Sequence, residues 1–97
     1  MSDLKYGTSS LKVSGGKMVR IDIRYADCLI EVKLTGDFFL HPEETITAIE
    51  DAMTGARLPL DKPSLLNKIN AVLLENQAQL IGATPEDVIT VLEEALA

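Results

Sequence analysis

The chain has 97 residues, of which 46% are hydrophobic and 25% are charged, and its formal net charge is −6. A chain of this length buries about 60–65% of the surface that it exposes when unfolded, which allows one modest core and excludes the large catalytic architectures. The acidic balance disfavours binding to nucleic acids or anionic membranes, because phosphate groups repel acidic surfaces.

Cysteine content and the N-terminus indicate the compartment. The single cysteine, Cys28, cannot form an internal disulfide, which fits a reducing environment. The first twelve residues lack the basic segment and apolar run of a secretory signal, and nowhere do 18 apolar residues follow one another. We therefore expect a cytoplasmic protein.

Three strands are predicted over residues 8–36, after a flexible N-terminus at residues 1–7. The first, at residues 9–13, runs into a turn at Ser14–Lys17. Residues 18–35 alternate apolar and polar side chains around a tight reversal at Ala26 and Asp27, which favours two further antiparallel strands. The predicted inward-facing residues of these two strands are Val19, Ile21, Ile23 and Tyr25, then Cys28, Ile30, Val32 and Leu34.

Three helices are predicted in the remainder, at residues 42–55, 62–80 and 85–96. Pro42 suits a first helical turn, and Gly55 suits a helix end. Asp61 is a candidate N-cap of the second helix, which Gly82 would close, and Thr84 before Pro85 is one for the third. Strands followed by helices predict a single α+β domain over residues 1–97, in which three helices pack on one face of a three-stranded antiparallel sheet.

The opposite face of this sheet is predicted to be polar and mildly basic. Such a face is either solvated, as in many antiparallel sheets, or directed at a partner or a phosphate group. By strand parity it carries Lys12, Arg20, Arg24, Lys33, Asp22 and Glu31.

The residues offer little catalytic chemistry. One His and one Cys are too few for a zinc site, so we expect no metal site. His41 either pairs with Asp37 or Glu44 as an acid–base group or makes a local contact at the start of a helix. A nucleophilic pair of Cys28 with His41 would need an exposed thiol, whereas strand parity places Cys28 on the apolar face. No catalytic residue is therefore predicted.

Two short segments remain as candidate contact sites. The glycines of KVSGGK (12–17) allow either a plain hairpin turn or an approach of backbone N–H groups to an anion, with Lys12 and Lys17 nearby. Phe38 and Phe39 should point in opposite directions in an extended chain, so that if one is buried the other is free to contact a partner.

Longer blocks resemble a known family. KVSGGKMVRIDIRY (12–25), LTGDFFLHPEETITAIEDAMTG (34–55) and GATPEDV (82–88) are similar to the accessory C-terminal domain of lipoate-protein ligases. The resemblance covers residues 8–96, but the large catalytic domain of these ligases has no counterpart here. The chain thus resembles the separately encoded small subunit of a bipartite, archaeal-type ligase.

The resemblance implies a noncatalytic accessory subunit of a ligase complex. Such a subunit docks on the catalytic subunit as a heterodimer and is needed for ATP-dependent activation of lipoate to lipoyl-AMP, before lipoyl transfer to a lysine of an acceptor protein. ATP, Mg and lipoate would be bound by the catalytic subunit and no cofactor by this chain alone.

We expect the activation-supporting or partner-contacting residues to lie in two segments. The alternative is a small cytosolic interaction or regulatory module of similar fold that serves another complex. The candidate residues are Lys12, Gly15, Gly16 and Lys17 in the turn, and Gly36, Asp37, Phe38 and Phe39 after the last strand.

Overall fold

The computed structural model describes residues 4–13 and 17–96. Its elements are β1 (Lys5–Lys12), β2 (Met18–Tyr25), β3 (Leu29–Gly36), β4 (Phe39–His41), α1 (Thr45–Met53), α2 (Lys62–Glu75), β5 (Gln79–Ile81) and α3 (Pro85–Leu96). Strands β1, β2 and β3 form an antiparallel sheet in chain order. The predicted α+β fold, with a three-stranded antiparallel sheet followed by three helices, is confirmed.

The core lies between one face of this sheet and the helices. Helix α3 packs across β1 and β2, α1 packs against β3, and α2 packs against α1 and α3. Ile21, Ile49 and Leu92 are almost completely buried in this layer. Full burial of such a side chain contributes about 1.5–3 kcal/mol, so this shared apolar layer stabilises the packing of the helices on the sheet.

A β-bulge in β3 changes the predicted inward set. Arg24 pairs with Glu31 but Tyr25 pairs with Leu29, so Ile30 is the extra residue. Leu29 is therefore fully buried, whereas Ile30 is 48% exposed. The prediction that Ile30 faces the core is wrong, because the bulge reverses the side-chain alternation before Val32.

The helix starts of α2 and α3 follow their predicted caps. The Asp61 carboxylate accepts a hydrogen bond from the Ser64 N–H at 3.3 Å, which caps α2. At α3 the Asp87 N–H donates to the Thr84 hydroxyl at 3.2 Å and the Thr84 N–H donates to the Asp87 carboxylate at 2.9 Å. This reciprocal pair is a capping box, with Asp in the place that Glu usually takes.

Other predicted boundaries need correction. Helix α1 begins at Thr45 rather than residue 42, because the Thr45 N–H bonds to the Pro42 carbonyl at 3.0 Å, in a tighter turn than an α-helix. Helix α2 ends at Glu75 rather than residue 80, and Gln77 beyond it has a φ of 49°. Strand β1 already begins at Lys5, so the N-terminus is not flexible throughout residues 1–7.

Residues 79–80, predicted as the end of the second helix, belong instead to strand β5, which forms a second, small sheet with β4. Strand β5 pairs antiparallel with β4, so that Leu40 lies opposite Leu80 and Phe39 opposite Ile81. Leu40 and Leu80 face the core, while the other face is exposed. Its first strand, β4, follows the end of β3 after two residues.

Among the described residues, no helix is long and apolar enough to cross a membrane.

Candidate partner-binding site

The candidate residues that the structure describes lie at one end of the three-stranded sheet, here called the turn end. Strand β1 ends there at Lys12, β2 begins after Lys17, and β3 ends at Gly36. Asp37, Phe38 and Phe39 follow directly. Gly15 and Gly16 lie outside the described residues. Antiparallel pairing therefore brings together two segments that are separated by about twenty residues in the chain.

Asp37 and Gly36 fix the geometry of the turn end. The Asp37 N–H donates to the Met18 carbonyl at 3.1 Å, and the Asp37 carboxylate accepts a hydrogen bond from the Met18 N–H. Gly36 has a φ of 156°, and a Cβ placed on it would lie 2.2 Å from the Met18 carbonyl oxygen. Glycine is required at position 36 because the β2 backbone occupies the space of a side chain.

The lysines at this end have different surroundings. Lys17 is exposed, but its alkyl chain lies against Gly82, where an added Cβ would be 3.0 Å from the Lys17 Cγ. Lys12 ends β1 and is exposed. The Val13 N–H donates to the Lys17 carbonyl at 2.8 Å and closes the hairpin. The described residues therefore form the base of the β1–β2 hairpin, with two basic side chains at that base.

The two phenylalanines separate as predicted. Phe38 is half-buried and packs against the core, whereas Phe39 is 57% exposed. Phe39, His41 and Ile81 form an exposed surface, the β4–β5 patch, in which the Phe39 and His41 rings stack with centroids 6.3 Å apart. Ile81 is 56% exposed. A groove of about 370 Å³ continues from Phe39 towards Glu43. An apolar patch with a polar rim is typical of a protein contact surface.

The structure does not assemble the catalytic pairs considered from the sequence. Cys28 lies just before β3 and His41 lies beyond its other end, so the eight-residue strand separates them. The described residues show no hydrogen bond or ion pair from His41 to Asp37 or Glu44. They also contain no cluster of three His, Cys, Asp or Glu residues able to hold a metal ion.

The outer face of the three-stranded sheet carries a network of charged side chains. Arg20 pairs with Asp22 at 3.2 Å, and the Thr8 hydroxyl donates to Asp22 at 2.8 Å. These hydrogen bonds from Arg20 and then Thr8 lower the pKa of Asp22 below its ordinary value, since they stabilise the ionised form. Asp22 is thus held as a carboxylate at the centre of the face.

A second group on the same face combines charge with an aromatic ring. The Arg24 guanidinium lies 5.5 Å from the centroid of the Tyr6 ring and 3.6 Å from the Glu31 carboxylate. Tyr6 is 71% exposed. With Lys12 and Lys33, the outer face carries four basic and two acidic side chains, on a chain whose net charge is −6. Such a face suits an acidic surface better than it suits the same face of another copy.

Sequence reasoning missed two contributors to these surfaces. Tyr6 falls in the predicted flexible N-terminus, although KYGTSS has the β-prone Tyr6 and Thr8 on one parity and Gly7 and Ser9 on the other. Ile81 lies between the predicted helix end at residue 80 and Gly82, where no strand is predicted, although QLI followed by Gly82 is short enough for a strand before a turn. Both residues are exposed because their strands leave one face uncovered.

Comparison with known proteins gives a likeness of fold. No family model matches the chain, and no curated protein matches it. The structure is similar to a chain from a structural analysis of an archaeal lipoylation system, which comprised a bipartite lipoate protein ligase and its E2 lipoyl domain from Thermoplasma acidophilum. The TM-score is 0.61 at 24% sequence identity, over 95% of this chain and 97% of that chain. The two chains therefore share one architecture along nearly their whole length.

Proposed function

We propose that this chain is a noncatalytic accessory subunit of a lipoate-protein ligase. It docks on a catalytic subunit and is needed for the ATP-dependent activation of lipoate to lipoyl-AMP, which precedes lipoyl transfer to an acceptor lysine. The observation that supports this most is the fold shared, over 95% of this chain, with a chain from the archaeal lipoylation system. The motifs GGK, GDFF and GATPEDV point to the same family from the sequence.

The surfaces of the domain are consistent with docking. The β4–β5 patch offers the exposed apolar side chains of Phe39 and Ile81, and the outer sheet face offers exposed cations such as Lys33. In this proposal the chain acts by binding: it favours the conformation of the catalytic subunit that binds ATP or the adenylation transition state more tightly. Activation then depends on the free-energy coupling between docking and ATP binding.

Separate measurement of the two half-reactions, activation and transfer, distinguishes an accessory role in activation from other roles. The experiment combines the catalytic subunit of a lipoate-protein ligase from the same organism with lipoate, ATP and Mg, and measures lipoyl-AMP with and without this chain. Transfer from premade lipoyl-AMP is measured in parallel. We expect activation to need this chain and transfer to proceed without it.

If both half-reactions proceed equally well without this chain, and the catalytic subunit is folded, the proposal is contradicted. A pull-down that recovers a different complex would then support the alternative, an interaction module of similar fold.

The double variant Lys12→Ala/Lys17→Ala tests the turn end. Lys68→Ala on α2 is the control, because Lys68 is also exposed. Unchanged binding and activation in the folded double variant would exclude a role for these two lysines.

A further inference from the structure

The two outer edges of the three-stranded sheet differ. The β3 edge is covered by the chain itself: the Leu34 N–H donates to the Glu50 carboxylate at 2.7 Å. At the other end of β3, the Leu29 N–H donates to the Ala56 carbonyl at 2.9 Å, and the Gly55 N–H donates to the Leu29 carbonyl at 2.7 Å. Coverage by side chains and loops, together with the bulge at Ile30, is how proteins prevent strand addition at an edge.

Among residues 4–13 and 17–96, no side chain or loop forms a hydrogen bond with the outward-facing backbone of β1; the Glu94 carboxylate accepts one only from the Ser9 hydroxyl, at 3.1 Å. Strand β1 pairs with β2 alone, over eight residues in unbroken register. It contains no proline and no bulge. An exposed, regular edge of this length is a template for another strand, and natural proteins usually interrupt it.

The hydrogen-bond phase shows which groups of β1 are open. The Val13 N–H bonds to the Lys17 carbonyl, and bonded pairs alternate along an antiparallel ladder. Leu11, Ser9 and Gly7 therefore exchange hydrogen bonds with β2. The intervening residues direct their N–H and C=O groups away from β2: Tyr6, Thr8, Ser10 and Lys12.

Charge decides between the possible occupants of this edge. A second copy of β1 can pair antiparallel only with the open residues opposite one another, for example with Lys12 opposite Tyr6 and Thr8 opposite Ser10. Such a pair places no carboxylate opposite Lys12, because β1 contains no acidic residue. Lys12 and the neighbouring cations of the outer sheet face favour instead a strand with acidic side chains, because the charges are then complementary.

We propose that the free edge of β1 accepts an extended, acidic segment of the catalytic subunit, which adds a fourth strand to the sheet. This inference rests on the proposed function for the identity of the partner. The added strand forms backbone hydrogen bonds with alternate residues from Tyr6 to Lys12, and its carboxylates lie opposite Lys5 and Lys12. Backbone pairing then provides affinity, and the two lysines fix the register.

Proline at position 10 gives a direct test. Ser10→Pro removes an N–H that points away from β2 and leaves the β1–β2 hydrogen bonds in place, and proline is tolerated on edge strands. Ser10→Ala is the matched control, since it removes the hydroxyl and keeps the N–H. With the catalytic subunit of the same organism, we expect Ser10→Pro to weaken the measured Kd at least about tenfold and Ser10→Ala to leave it unchanged.

Amide hydrogen exchange on the wild-type chain covers the case in which Ser10→Pro does not fold. The Thr8 and Ser10 amides should exchange fast in the free chain and slowly in the complex, while the Leu34 amide should be slow in both. Unchanged exchange at Thr8 and Ser10 in a saturated complex would overturn the proposal, and so would wild-type affinity in folded Ser10→Pro.

The remaining outcomes separate this proposal from the proposed function. If lipoyl-AMP formation still needs this chain but the β1 amides stay unprotected, the accessory role stands and the β1 edge is not the interface. If the wild-type chain neither binds nor activates the catalytic subunit, both proposals fail. A dimer of this chain in sedimentation that Ser10→Pro dissociates would assign the edge to a second copy.

Discussion

Asp37 binds the start of β2 from the end of β3, because its N–H and its carboxylate both form hydrogen bonds with the backbone of Met18. The side chain thus completes the strand pairing where the ladder between β2 and β3 stops. Asp37 is exposed, so its contribution is that of a hydrogen bond at the surface rather than of a buried ion.

Asp37→Ala should lower the free energy of unfolding by about 1 kcal/mol, the usual net value of one hydrogen bond. Urea denaturation followed by circular dichroism measures this change. Asp51→Ala is the control, because Asp51 is also exposed, on α1. Equal stability of the two variants would show that the bond to Met18 does not stabilise the fold.

Two glycines allow the effect of a steric clash on stability to be compared with the effect of backbone strain alone. Both Gly36 and Gly55 have a positive φ, but a Cβ on Gly36 would lie 2.2 Å from the Met18 carbonyl oxygen, whereas a Cβ on Gly55 would meet nothing within 4 Å. Gly55→Ala should therefore cost about 1–2 kcal/mol from backbone strain alone. Gly36→Ala should cost clearly more, because β2 and β3 must also move apart.

Chemical denaturation of both glycine variants against the wild type measures this difference. A loss at position 36 equal to or smaller than that at position 55 would mean that the end of β3 moves freely away from β2. It would also contradict the close approach on which the turn end depends.

Asp22 makes the outer sheet face sensitive to acid. The hydrogen bonds from Arg20 and Thr8 lower its pKa in the folded chain, so the unfolded chain binds its proton at higher pH than the folded chain does. The stability that Asp22 contributes is thus fully present above its ordinary pKa of about 3.9 and is lost as the pH falls through the lower, folded value. Asp22→Asn should destabilise the chain near pH 7, and the difference from the wild type should shrink as the pH falls below about 3.9 and through the lower, folded pKa.

Titration of the Asp22 carboxyl by NMR tests the cause of this shift. Thr8→Val keeps the shape of the side chain but removes the hydroxyl that donates to Asp22. The pKa of Asp22 should rise towards its ordinary value in Thr8→Val, and more so in Arg20→Gln. Ser10→Ala on the same strand should leave it unchanged. An Asp22 pKa that is the same in all four proteins would contradict the network.

Phe39 and Leu74 allow a test of the β4–β5 patch under the proposed function. Both are exposed apolar side chains, at 57% and 80%, but Phe39 lies in the patch and Leu74 lies on α2. Phe39→Ser should weaken binding to the catalytic subunit by about tenfold or more, as removal of a buried aromatic contact does at interfaces. Leu74→Ser should have no effect.

Calorimetric titration of the catalytic subunit with each variant measures the difference, and the lipoyl-AMP assay shows whether activation changes with it. Thermal unfolding controls for folding; neither substitution should change it by more than a few degrees, because both side chains are exposed. Equal binding by both variants would place the interface away from the β4–β5 patch.

The sequence predicted those features that depend on residues close together in the chain. The start of α3 could be located because Thr84 and Asp87 are three residues apart and cap the helix reciprocally. The polar face of the sheet could be assigned from alternation, since the side-chain period of a strand does not depend on its neighbours.

Features that depend on distant pairing could not be predicted in the same way. The exposure of Ile30 results from a bulge, which exists only relative to the register of β2. Strands β4 and β5 have three residues each and pair across about forty residues of chain, so neither has a pattern of its own long enough to identify it. The proximity of Lys17 to Gly82 has the same origin.

The Glu50 side chain has a consequence for assembly. Because its carboxylate binds the Leu34 N–H, a strand that arrives at β3 finds that donor already satisfied. In the part of the chain that the structure describes, this contact interrupts the β3 edge, so β1 is the edge of the three-stranded sheet that keeps an unbroken register. The contact thus hinders the pairing of a second molecule at Leu34, so loss of this carboxylate in Glu50→Ala would favour aggregation by edge-to-edge pairing.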